Sequence, residues 1–247
     1  MKVLLLILFT SITALFSCVK KNMEKPSVAV SPAKNDTTKT TPIDTNSINY
    51  LALGDSYTIG EAVPELQSYP YQLVNLLGTN NYKVNTPTII ARTGWRTDQL
   101  IDAIATSGIS DKKYDFVTLL IGVNDQYQNV SPESYRTKFI KALSLALSFA
   151  NGNAKRVFVL SIPDYGVTPF ANGNDAVIGP QIDQFNAINK QESVKAGVNY
   201  LDITPISRKA ATDPGLIAPD GLHPSGPMYT QWIDLLEPMV KTQLQKN

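Results

Sequence analysis

The chain has 247 residues, a formal net charge of +1, a single histidine and a single cysteine. So nearly neutral a chain lacks the electrostatic footprint of a nucleic-acid-binding protein or of one adsorbed on an anionic membrane surface. One cysteine excludes an intramolecular disulfide, and one histidine plus one cysteine excludes a zinc site of those ligands, while a carboxylate-only calcium site stays open.

Lys2 precedes the apolar run Val3-Leu4-Leu5-Leu6-Ile7-Leu8-Phe9, and Leu15-Phe16 leads to the small Ser17. A charged start, a short apolar core and a small residue at the cut predict a secretory signal over residues 1–17. A spanning helix needs about 20 apolar residues, and this run is shorter and interrupted by Thr10 and Ser11. Leu15-Phe16-Ser17-Cys18 resembles the lipobox of bacterial lipoproteins, although Phe16 is bulkier than most residues at that position. The resemblance implies lipidation of Cys18 and attachment to the bacterial cell envelope, on the periplasmic or surface face of the outer membrane. More than one acyl chain would hold the domain firmly, since each buried methylene contributes about 0.8 kcal/mol. Ordinary secretion with a free thiol is the alternative. Pro26, Pro32 and Pro42 then lie among Lys, Thr, Ser, Asn and Asp residues, so residues 18–47 read as a flexible tether. Residues 48–247 suit one domain with a sizeable core.

Tyr50-Leu51-Ala52-Leu53 is short and apolar and ends at Gly54, which reads as a buried strand. A second strand is expected within Val84 to Ala91, broken by Pro87, and the two clearest are 116–121 and 156–160. A weaker one is Val198 to Asp202. Continuous apolar runs of this length belong to parallel strands covered on both faces. Between them, Ser68 to Leu77 and Thr97 to Thr106 repeat apolar residues at helical spacing. Ser131-Pro132-Glu133 has the form of an N-cap with proline at N1, opening a long helix through Phe139, Leu143 and Leu147. Ile182, Phe185, Ile188 and Val194 mark a fourth helix, and a last one runs from Gly226 through Trp232, Leu235 and Leu236 to Val240. The segment 161–179 has no clear period and holds Pro163, Gly166, Pro169, Gly173 and Gly179. It is either a wall over a site or a plain exposed loop. Alternating strands and helices predict a three-layer α/β/α sandwich with a central parallel sheet, and ligands collect beyond the carboxyl ends of such strands. Gly54-Asp55-Ser56 and Gly122-Val123-Asn124-Asp125 both fall at such an end.

Histidine ordinarily titrates near neutrality, and a serine hydroxyl needs such a base before it attacks a carbonyl. With His223 the sole imidazole, the candidate constellation is Ser56 with His223, oriented by Asp220 three residues upstream. No Gly-x-Ser-x-Gly elbow, Gly-x-Gly-x-x-Gly loop or Walker lysine motif occurs.

In order, Gly54-Asp55-Ser56, Gly94, Gly122-Val123-Asn124-Asp125 and Asp220-Gly221-Leu222-His223 resemble the four blocks of the SGNH hydrolases, or GDSL esterase/lipase family, and the likeness spans residues 48–247. It implies a flavodoxin-like fold and a carboxylic ester hydrolase with Ser56 as nucleophile, His223 as base and Asp220 as orienting acid. It also implies an oxyanion hole made by the backbone N–H groups of Ser56 and Gly94 and the amide of Asn124. Glycine is expected at 94 because a Cβ would crowd the reacting centre. Asp55 and Asp125 are expected to hold loops, and Trp95, Arg96, Tyr57 and Tyr165 are candidates for the pocket wall. The substrate class expected is a short-chain acyl ester, first an O-acetyl group on a carbohydrate. Alternatives are a lysophospholipid or other lipid ester, or glycan binding without turnover. No cofactor or metal is required.

Overall fold

Short apolar runs form one 5-stranded sheet, all parallel, in the order β2-β1-β3-β4-β5. They are β1 (Tyr50–Asp55), β2 (Thr88–Arg92), β3 (Phe116–Leu120), β4 (Val157–Leu160) and β5 (Asn199–Leu201). The structure, a computed structural model, describes residues 47–245. The expected signal over 1–17, the lipidated Cys18 and the tether up to residue 46 lie outside the described residues. Every residue of β1, β3 and β4 is buried, which is why these segments lack the polar alternation of a half-exposed strand.

The helices are α1 (Ser56–Ile59), α2 (Tyr69–Thr79), α3 (Thr97–Thr106), α4 (Val123–Tyr127), α5 (Pro132–Phe149), α6 (Asp175–Ala196), α7 (Thr204–Arg208) and α8 (Gly226–Leu244). The crossovers run from β1 outward to β2 through α2, then back across the sheet through α3, α5 and α6, and parallel crossovers as a rule are right-handed. The return reverses direction and so covers the opposite face. Accordingly α2 packs on α8, while α3 packs on α5 and α5 on α6. This is the α/β/α sandwich expected from the strand and helix pattern.

Tyr50 of β1 and Phe116 of β3 are register partners whose rings stack with centroids 4.3 Å apart. The hydroxyl of Thr118 lies 2.7 Å from that of Tyr50 and 3.1 Å from that of Tyr69. β1, β3 and α2 therefore bury their polar atoms as partners. Trp232 of α8 is fully buried against Tyr69 and Tyr229, at centroid distances of 6.3 and 4.9 Å. At the start of α5, the Ser131 hydroxyl accepts from the Ser134 N–H at 3.2 Å, with Pro132 at the first helical position, as its sequence predicts.

Several expectations need correction. β2 starts at Thr88 rather than near Val84, which makes an isolated bridge to Ile48; Pro87 has no N–H to give the ladder. The aperiodic segment ends at residue 174, because α6 begins at Asp175 and carries Gly179 and Pro180 inside it. Those two residues hide its first turns, one by its low helix propensity and the other by its missing donor. Val194 is 68% exposed and Leu235 is 45% exposed, so neither faces the core. The inner face of α6 runs instead through Ile178, Ile182, Phe185, Asn189 and Ser193, a stripe whose polar members break the apolar period. α7 was not anticipated. Among the described residues no helix is long and apolar enough to cross a membrane.

Candidate active site

The sheet order reverses at β1, whose neighbours are β2 and β3, and the carboxyl ends of these three strands form the crevice where parallel sheets take ligands. Asp55 closes β1 and caps α1, its Oδ1 accepting from the Tyr57 N–H at 3.0 Å. Its side chain is buried, and burial pushes the carboxyl up to about 8, with the Asp125 carboxylate raising it further and the Tyr57 N–H opposing both. Asp55 thus shapes the turn that presents Ser56, the first residue of α1.

At the end of β2, Gly94 has φ +81° and a Cβ built there would meet no atom within 4 Å. Crowding by the protein is therefore not why glycine stands here; the left-handed backbone is. Thr93, beside it, donates its hydroxyl to the Glu61 carboxylate. Trp95 and Arg96 do not line the cavity. Trp95 packs partly buried against the core, and Arg96 is held by Asp98 through two bonds of 3.0 Å and by Gln128 at 2.6 Å. Trp95 still serves the site through its carbonyl, which accepts from Asn124 Nδ2 at 3.0 Å. That bond orients the amide and leaves its second N–H to aim elsewhere.

Beyond β3, Gly122 turns the chain with φ +126°, where a Cβ would strike the Tyr135 hydroxyl and stand 2.8 Å from Ile162 Cδ1. The turn puts Asn124 in the first turn of α4. Asp125 is buried, which raises its pKa, against bonds to its Oδ2 from the Thr97 N–H at 2.8 Å and hydroxyl at 2.9 Å. It ties α4 to the start of α3, the loop-holding role expected of it.

The last part comes from the loop before α8. Asp220 Oδ1 accepts from the N–H groups of Leu222 and His223, both at 3.0 Å, and Oδ2 lies 2.5 Å from His223 Nδ1. Burial alone would raise the Asp220 carboxyl, but the imidazole and the two N–H groups hold it below its ordinary value. An ionised carboxylate only accepts, so Nδ1 carries a proton toward Asp220 and Nε2 is the ring nitrogen left for other partners. His223 is itself buried, with the Tyr57 ring 5.2 Å from its own.

Ser56, Gly94, Asn124 and His223 line one cavity of about 120 Å³. Tyr57 and Tyr165, expected on its wall, are there too. Sequence reasoning missed Thr93, Val123, Tyr127, Phe170 and Leu222. Val123, Tyr127 and Leu222 could have been found as neighbours or one-turn companions of Asn124 and His223. Phe170 had no signal beyond its place in the aperiodic segment, which the structure makes a wall. Among the described residues no group of three His, Cys, Asp or Glu side chains could hold a metal ion.

Sheet order and the cavity at the switch point define a flavodoxin-like, doubly wound α/β protein. More narrowly, the chain belongs to the GDSL-like Lipase/Acylhydrolase family, whose model matches residues 52–231, and it is a carboxylic ester hydrolase of that type. Solved structures share the fold at low identity. TesA is 16% identical with a TM-score of 0.63, over 79% of this chain and 99% of its own. The psychrotrophic esterase EstA from Pseudoalteromonas sp. is 14% identical with a TM-score of 0.61, over 81% of this chain and 100% of its own. An acetylxylan esterase from Geobacillus stearothermophilus is 16% identical with a TM-score of 0.61, over 81% of this chain and 95% of its own. No curated protein matches the sequence.

Proposed function

We propose that this hydrolase cleaves short-chain acyl esters, chiefly O-acetyl esters, through a covalent acyl-enzyme on Ser56. The observation that carries the reading is the buried His223, bonded to Asp220 at 2.5 Å and lining the same cavity as Ser56. His223 Nε2 takes the hydroxyl proton as Ser56 Oγ bonds to the carbonyl carbon, and Asp220 stabilises the imidazolium. The oxyanion is met by the N–H groups of Ser56 and Gly94 and by the free N–H of Asn124, donors fixed before the charge develops. When the ester C–O bond breaks, His223 gives its proton to the alkoxide. It then draws a proton from water as that water attacks the acyl carbon, and gives it to Ser56 Oγ when the acyl–oxygen bond breaks and the acid leaves.

The small cavity supports a short acyl group, since pockets that enclose larger ligands span about 300–1,000 Å³. The acetylxylan esterase above is an instance, by its name, of acetyl-ester chemistry on this fold. The purified protein is expected to hydrolyse 4-nitrophenyl acetate faster than the octanoate. Ser56→Ala should abolish that activity with an unchanged circular dichroism spectrum. Equal rates from both proteins exclude Ser56, and faster octanoate turnover moves the substrate to a lipid ester.

The N-terminal reading belongs to the same proposal: residues 1–17 as a secretory signal, Cys18 as a lipidated residue, 18–47 as tether and 48–247 as the catalytic domain, held at the bacterial outer membrane. Its support is the Leu15-Phe16-Ser17-Cys18 sequence. Labelled palmitate should enter the wild type and not Cys18→Ala; equal incorporation refutes the anchor.

A further inference from the structure

Three aromatic rings that line the cavity form a triangular cluster. Tyr127 stands at the end of α4, while Tyr165 and Phe170 come from the wall segment between β4 and α6. Their centroids lie 6.1 Å (Tyr127–Tyr165), 6.0 Å (Tyr127–Phe170) and 6.3 Å (Tyr165–Phe170) apart, so each ring touches the other two. Tyr165 is buried, yet Tyr127 is 55% and Phe170 is 48% exposed. Apolar rings left half in water beside a reaction centre form an unfilled contact surface.

The cluster abuts the histidine loop. The Phe170 N–H donates to the Gly221 carbonyl at 3.0 Å, inside the Asp220–His223 turn. In the serine-esterase reading, on which this inference rests, His223 protonates the departing alkoxide, so the group next to it is the alcohol.

We propose that Tyr127, Tyr165 and Phe170 form a subsite for the alcohol moiety and that this moiety is a pyranoside ring, which makes the substrate an O-acetylated sugar. A long alkyl chain is held by pockets that enclose it, and half-exposed rings beside a cavity of about 120 Å³ do not supply that cover. A pyranose ring instead offers one face of C–H groups and an edge of hydroxyls. It lays the first on the aromatic faces and keeps the second in water or on the tyrosine hydroxyls. No Lys or Arg is among the residues lining the cavity, so a phosphate-bearing alcohol such as a lysophospholipid finds no cation there. The wall is also held in advance. Asp164 accepts from the Gly166 N–H at 2.8 Å and from Arg208 Nε at 2.9 Å, which fixes the turn carrying Tyr165.

The test uses the full-length protein and two esters with the same acyl group, a methyl xylopyranoside carrying a single O-acetyl group and ethyl acetate. The ratio of their kcat/KM values is expected to fall about 5- to 10-fold in Phe170→Leu and in Tyr127→Leu, which keep apolar bulk without a ring. Tyr127→Phe, which keeps the ring, should restore most of it. Rates that fall equally on both esters, or on neither, overturn the subsite. A loss confined to ethyl octanoate also overturns it and assigns the rings to an acyl chain. Binding separates the subsite from the chemistry: the same xylopyranoside should quench tyrosine fluorescence of Ser56→Ala, with Kd raised about 5- to 10-fold by adding Phe170→Leu. If Ser56→Ala kept wild-type turnover, the serine reading would fail while that Kd comparison still decided the subsite.

Discussion

Asp55 shows what burial does to a residue that its sequence neighbours make look purely structural. The carboxyl caps α1 through Tyr57 and is almost without solvent contact. Its pKa stands at about 8 against an ordinary 3.8. The folded protein therefore keeps a proton there that the unfolded chain has lost. The stabilisation is fully present below the unfolded pKa and declines as pH rises through the folded one, between about pH 4 and pH 8. Asp55→Asn retains an oxygen acceptor for Tyr57 and removes the titration. Urea midpoints of the wild type should fall more steeply than those of Asp55→Asn over that window, and parallel curves would refute the assignment. Asp220 lies at the other extreme, held below its ordinary value and so ionised wherever His223 could act as a base. The candidate roles of Ser56, Asp220 and His223 were readable because a single imidazole leaves no choice of base. The difference between the two carboxylates was not, because pKa follows burial and partners brought from elsewhere in the chain.

Among the elements, the turn from β3 into α4 carries the sharpest steric demand. Gly122 combines φ +126° with a packed environment of Tyr135 and Ile162. An alanine there meets both a disfavoured backbone region and overpacking, which together cost about 2–4 kcal/mol. Gly122→Ala should lower the urea-derived stability by that amount, and a loss under about 0.5 kcal/mol would show that the turn relaxes freely. Most strands and helices were legible, since apolar runs, an N-cap serine and proline at N1 are local signals. α6 was legible only from Ile182 onward, because Gly179 and Pro180 disguise its start. Val194 and Leu235 fit a helical period and still face solvent: a period names a stripe, and the neighbouring layer decides its width.

At the scale of the whole molecule, Arg208 joins three segments far apart in the chain. From α7 it bonds Asp164 in the wall at 2.9 Å and Asp183 on α6 at 2.8 Å. Asp164 is 4% exposed, so removing its cation leaves a buried carboxylate short of a donor, a loss of about 1.5–3 kcal/mol. Arg208→Met should show that destabilisation in urea together with a raised KM for the preferred ester, because the wall bearing Tyr165 and Phe170 loosens. Destabilisation with KM unchanged would separate the ion pair from the site.

By itself the sequence determined the alternation of strand and helix, the layers that alternation builds, and the four blocks that name the family, because hydrophobic period, turn chemistry and motif spacing are carried by residues close together in the chain. Only the tertiary structure decided that Phe170 and Tyr127 complete the cavity, that Trp95 lends its carbonyl rather than its ring, and that Asp55 holds a proton. Each of these depends on how segments dozens of residues apart approach one another, and that approach is set by the packing of the whole sheet and its two helical layers.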